Sequence, residues 1–187
     1  MKILRGIVLL FCLLSLVLLN PSIAHADHIV GSVEWQTVGG GCIPDDEAVQ
    51  GNWYQAVTAA GRVKYRGNHT NTLRFTCPVT NVNASTPLDF TELVIYYQDP
   101  DGPGDDFQVI GRLMSFSKSD GTLSETCRVE SDQFGSWSST VSSTTSQNCG
   151  TLDFVKNLYW VEATISRREA SSLTVEFNGA ELMNFTT

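Results

Sequence analysis

The sequence predicts an all-β protein, a single antiparallel β-sandwich of about nine or ten strands held by two disulfides. Short runs rich in β-branched and aromatic residues recur with a period of two, and Gly, Asn, Asp and Pro punctuate them at roughly 8–12-residue intervals. No segment keeps a helical period for three turns. Four cysteines, Cys42, Cys77, Cys127 and Cys149, remain beyond an N-terminal export segment, and an even count in an exported domain reads as a disulfide framework.

That export segment is "MKILRGIVLLFCLLSLVLLNPSIAHA". Lys2 and Arg5 form a positive start, an apolar run follows to Leu19, and Ala24-His25-Ala26 offers small residues at the positions a signal peptidase reads. The apolar run is too short to span a bilayer, which takes roughly 18–20 residues. Residues 1–26 are therefore a signal peptide and residues 27–187 one domain. Two of the twelve basic residues and none of the twenty acidic ones fall in the signal, leaving 10 against 20 and a net charge of −10. Such a chain repels phosphate backbones and anionic membrane surfaces. Nucleic acid and membrane are excluded as partners after cleavage, and the product is secreted or periplasmic.

Along the domain, "HIVGSVEWQ" opens as a strand and "TVGGGCIPDD" turns, with room for one helical turn at Asp46 to Gln50. "WYQAVT", "GRVKYRG" and "TLRFTCPV" follow as short strands. "LDFTELVIYY" is a longer one, apolar through its second half and hence central. In "FQVIGRLMSF", Phe107, Val109, Gly111 and Leu113 share a face. "LSETCRVES" is a further strand, and residues 136–146, nearly all Ser or Thr, read as a loop. Tyr159, Val161, Ala163 and Ile165 alternate cleanly with Trp160, Glu162, Thr164 and Ser166, and Leu173, Val175 and Phe177 form a last inward row. The four cysteines allow three pairings. Nearest-neighbour bridges, Cys42–Cys77 and Cys127–Cys149, require the least crossing of chain.

"CIPDD", "LRFTCPV", "LVIYYQDPDGPG" and "FQVIGRLMSF", spanning Cys42 to about Phe116, resemble a type of small exported bacterial β-sandwich protein. The resemblance implies export and a sandwich. It brings no activity and no functional residues.

Chemistry is sparse. The domain holds only His28 and His69, and no G-x-S-x-G elbow is present, so a hydrolytic triad lacks parts and no catalytic residue is assigned. Cleavage after Ala24 would expose His25 as a terminal copper ligand, but Ala-His-Ala favours cleavage after Ala26. The one candidate set of metal ligands is Asp99, Asp101, Asp105 and Asp106 in "DPDGPGDD". Their oxygens suit calcium, and Gly102 and Gly104 let a chain wrap an ion. The loop departs from an EF-hand, and Asp-Pro, Asp-Gly and Pro-Gly are all turn signals. A turn alone thus accounts for the same residues; no cofactor is required, and calcium, if held, is held weakly. Trp35, Trp53, Trp137, Trp160 and one of Tyr96 and Tyr97 are candidates for exposed aromatic surface, suited to a glycan or a protein ligand. The function expected is a binding or structural module, with a carboxylate-based secreted hydrolase as the alternative.

Overall fold

The computed structural model describes residues 31–57, 60–80, 91–133, 141–170 and 172–185. The signal at 1–26 and Trp137 lie outside them. The described residues form eleven strands: β1 Gly31–Val38, β2 Ile43–Pro44, β3 Tyr54–Val57, β4 Arg62–Tyr65, β5 Thr72–Val79, β6 Thr91–Gln98, β7 Phe107–Ser117, β8 Leu123–Glu130, β9 Val141–Asn148, β10 Asn157–Arg167 and β11 Glu176–Phe185. Ten of these have four residues or more, as the sequence predicts, and β2 is a two-residue addition.

The strands make two sheets packed face to face. The larger runs β3-β4-β11-β6-β9 with β1 also paired to β11, and the smaller runs β2-β5-β10-β7-β8. Every pairing is antiparallel. Period-two patterning sets which face is buried. Leu73, Phe75 and Cys77 of β5, Val109 and Leu113 of β7, and Tyr159, Val161, Ala163 and Ile165 of β10 all point inward. Facing them are Leu93, Ile95 and Tyr97 of β6 with Phe177, Ala180 and Leu182 of β11. The sheets approach closely at Gly111, where a Cβ would lie 2.4 Å from Ile95 Cγ2. Glycine is needed there for packing rather than for backbone conformation.

Both nearest-neighbour disulfides are present. Cys42–Cys77, with 4.5 Å between Cα atoms, pins the chain before β2 to β5. Cys127–Cys149, at 5.1 Å, ties β8 to the end of β9 and so joins the edge strands of the two sheets. Both fit an oxidising compartment. Among the described residues no helix is long and apolar enough to cross a membrane.

The expected helical turn is α1, Asp46–Gly51, capped by the Asp45 carboxylate accepting from Ala48 N–H at 2.8 Å and closed by Asn52 in the left-handed region at φ 52°. Two expectations are corrected. The Ser/Thr-rich stretch is not all loop: from Val141 it is edge strand β9, while 134–140 lie outside the described residues. An edge strand is held by backbone hydrogen bonds to one neighbour, here β6, and needs few apolar side chains. Leu173 does not continue the inward row of Val175 and Phe177. It precedes β11 and is 52% exposed.

Candidate functional site

The outer face of the larger sheet is forked. One edge of β11 is shared by two strands: β4 pairs with Glu176 and Phe177, and β1 pairs from Gly179 onward. Asn178 falls in the gap. On the opposite edge the register with β6 slips between Phe177 and Gly179, so Asn178 is the extra residue of a β-bulge. Bulges re-aim a side chain and interrupt pairing. Gly179 permits the close approach of β1, since a Cβ there would lie 2.3 Å from the Thr37 carbonyl oxygen.

The fork opens a groove of about 590 Å³ lined by Gln36, Val38, Arg62, Tyr96, Asn178 and Glu181 among others. That volume suits a ligand of a few rings. Tyr96 donates its O–H to Glu181 Oε2 at 2.8 Å, fixing both side chains. Burial, and then the Glu181 carboxylate, push the phenol up to about 12, so it stays a donor throughout the neutral range. Arg62 Nη1 donates to Glu176 Oε2 at 2.7 Å, and the Glu176 side chain is nearly inaccessible. Among the described residues, neither the amide nitrogen nor the oxygen of Asn178 has a partner, nor has Arg62 Nε, although all three atoms are shielded from solvent. Leaving such groups unpaired costs about 1–3 kcal/mol each. The groove is thus lined by a fixed aromatic ring and by an amide and a guanidinium, three of whose polar atoms are shielded and without a partner among the described residues.

Of the two tyrosines, Tyr97 is buried and Tyr96 faces this groove. Trp35 and Trp53 are partly buried against the core. Trp160 lies half-buried on the outer face of the smaller sheet, between Pro78 and Met114 in the cross-strand register. His69 sits exposed in the turn between β4 and β5, its carbonyl accepting from Arg167 Nε at 2.6 Å.

The acidic loop is a closed turn in which Asp99 and Asp101 lie together, while Asp105 and Asp106 have contacts of their own. Asp99 extends the inward row of Leu93, Ile95 and Tyr97 and is fully buried. It accepts a short hydrogen bond from Ser131 Oγ, which itself accepts from Val109 N–H at 2.8 Å. Asp101 Oδ2 accepts from Asp106 N–H at 3.0 Å, so Asp106 enters through its backbone. Asp105 points outward and pairs with Arg168 at 3.8 Å. A residue that sequence inspection passes over, Asp132, joins them: it accepts from Gln108 Nε2 at 2.6 Å, and the charges of Asp101 and Asp105 act on it. Asp105, Gln108, Asp132, Arg167 and Arg168 line a second groove of about 340 Å³. Among the described residues, no three His, Cys, Asp or Glu side chains gather as a metal cage.

Burial, and then Asp101 beside it, raise Asp99 from the ordinary 3.8 to about 7. The folded protein therefore keeps a proton on Asp99 that the unfolded chain has lost. The resulting stability is present in full below pH 4 and is lost as pH rises through about 7. In chelator-treated buffer, urea denaturation is expected to show stability falling between pH 5 and pH 8. Asp99→Asn is expected to flatten that decline, and an unchanged slope in the variant would assign it to other groups.

Fold and groove together define an antiparallel β-sandwich with a polar, forked groove on one outer face. No protein-family model matches the chain, and no curated protein matches it. Among the solved structures that match is a xylan-binding module CBM15, aligned over 65% of this chain and 76% of its own, at 10% identity and a TM-score of 0.36. A likeness of that degree assigns nothing to this chain.

Proposed function

We propose that the protein is a binding module that takes a neutral oligosaccharide in the forked groove. The observation that carries this is the groove at the fork: Tyr96 and Glu181, fixed by their hydrogen bond, line it together with the bulged Asn178, whose amide has no partner among the described residues. Vicinal sugar hydroxyls both donate and accept, and so match an amide and a guanidinium that line the same groove. The ring of Tyr96, held by Glu181, supplies a flat apolar surface beside them. Glu181 and the net negative charge disfavour an anionic ligand. Hydrolysis has less support. The carboxyls that burial raises, Asp99 and Asp132, lie away from this groove, and its own Glu181 is tied to Tyr96.

Calorimetric titration with a panel of neutral oligosaccharides differing in backbone and linkage tests the proposal. At least one is expected to bind, and Asn178→Ala is expected to weaken it about tenfold, within the loss of roughly 1–3 kcal/mol that two polar contacts supply. The melting temperature should be unchanged or slightly raised, because an unpaired amide is removed. A panel with no binder, or binding indifferent to Asn178→Ala and Tyr96→Ala, would overturn it.

A further inference from the structure

We infer that the ligand of the forked groove is a linear chain of about three or more sugar rings that runs along β11 and ends over Val33 and Met183, a placement that rests on the glycan reading of that groove. Outward side chains recur at every second position of a strand, about 6.6–6.8 Å apart. On β11 Leu182 is buried in the core, so Glu181 and Met183 both face out, in line with Gly179. These three positions span ~13 Å, the length of a short chain rather than of a single ring. Across the sheet Val38 lies opposite Gly179, Gln36 opposite Glu181 and Val33 opposite Met183. The first two of these rows line the groove, and the third is the next outward row along the same two strands.

The direction of the chain follows from what bounds the other sides. At the fork β1 and β4 converge: Gly40 N–H donates to the Gly61 carbonyl at 2.9 Å, and Arg62 is held by Glu176. Toward β6 the wall is Tyr96, which lies opposite Gly179 and is locked to Glu181. That bond draws the Glu181 carboxylate toward β6 and away from β1, because β6 and β1 flank opposite edges of β11. Gly179 has no side chain, so the row from Val38 to Tyr96 is notched at its centre. The open course is therefore along β1 and β11 toward Val33. There Val33 is 46% exposed and Met183 half-buried, an apolar pair lying beyond the polar row of Gln36 and Glu181. A sugar ring is polar at its rim and apolar across its C–H face. The far ring can lay that face on the pair while the rings before it hydrogen-bond in the groove.

The experiment titrates linear oligomers of glucose, xylose, mannose and N-acetylglucosamine, in two-, four- and six-ring lengths, into the protein by calorimetry. For a backbone that binds, affinity is expected to rise about fivefold to tenfold from two rings to four, and to change by less than about twofold from four to six. In methyl spectra Val33 and Met183 should shift with the four-ring ligand and stay fixed with the two-ring one, while the Tyr96 ring responds to both. Val33→Thr keeps a β-branched side chain on the strand. It should weaken the four-ring ligand about threefold, as the loss of one apolar methyl contact implies, and leave the two-ring ligand unchanged. If Val33→Thr does not fold, the methyl shifts of the wild type decide alone. Equal affinity for two and four rings, or a four-ring ligand that moves Tyr96 but neither Val33 nor Met183, overturns this placement and leaves the glycan reading standing. Binding confined to single sugars or branched glycans does the same. A protein that binds no neutral glycan of any length overturns both.

Discussion

Reduction of both disulfides is expected to lower the melting temperature by roughly 15–25 °C. The bridges close stretches separated by 35 and 22 residues. In the chain-entropy account each restrains the unfolded chain by roughly 3–4 kcal/mol, and one kcal/mol moves a domain of this size by about 2–4 °C. The two differ in what they hold. Without Cys42–Cys77, the two-residue β2, the Asp45 N–H bond to Arg74 O and the packing of α1 are what hold that segment against β5 among the described residues. Without Cys127–Cys149, the edge strands β8 and β9 lose their covalent link across the sandwich. Paired Cys→Ala variants, one bridge at a time, measured by calorimetry against the reduced wild type, check the magnitude. A drop under about 5 °C on full reduction would show that native packing alone restrains these segments.

Arg62→Met is expected to cost about 3 kcal/mol, the low end for removing one partner of a buried pair, because the arginine is partly open to solvent. Its loss leaves the inaccessible Glu176 carboxylate without the one ion pair it makes among the described residues. The double variant Arg62→Met with Glu176→Met should return to within about 1 kcal/mol of the wild type, since a buried pair often exchanges for apolar side chains at no net cost. Urea denaturation of the two variants separates the causes. A double variant as unstable as the single one would place the effect in the packing of the arginine stem rather than in the stranded charge.

The sandwich was legible because its strands are half-buried, and a half-buried strand writes its burial into alternate residues. β5 and β10 are the clearest cases: Leu73, Phe75 and Cys77 alternate with Arg74, Thr76 and Pro78, and Tyr159 to Ile165 do the same. β9 was not legible, because an edge strand of Ser and Thr has no apolar row to display. The groove was hidden for a different reason. It exists only because β1 and β4 meet the same edge of β11, and that pairing brings Val38 to Gly179 across most of the chain. One local signal was available, the Asn178-Gly179 pair inside a strand pattern, which marks a bulge as readily as a turn. The acidic loop was visible as composition, but its membership was not. Asp132 follows β8, and only the β7–β8 register carries it to Asp101.

The placement of β1 has a mechanical consequence. It runs antiparallel to β11 with Gly31 opposite Phe185, so the two ends of the fold leave from the same point. Tension applied between those ends would load the ladder one rung at a time and unzip it, whereas strands pulled lengthwise past each other share the load across all rungs. β1 has a single neighbour and β11 has several, so β1 would peel first. Peeling would stop near Cys42, where the bridge to β5 takes up the strain. By then Gln36 and Val38 would have left the groove wall, so a tug on the chain would dismantle the groove while the rest of the sandwich stayed folded.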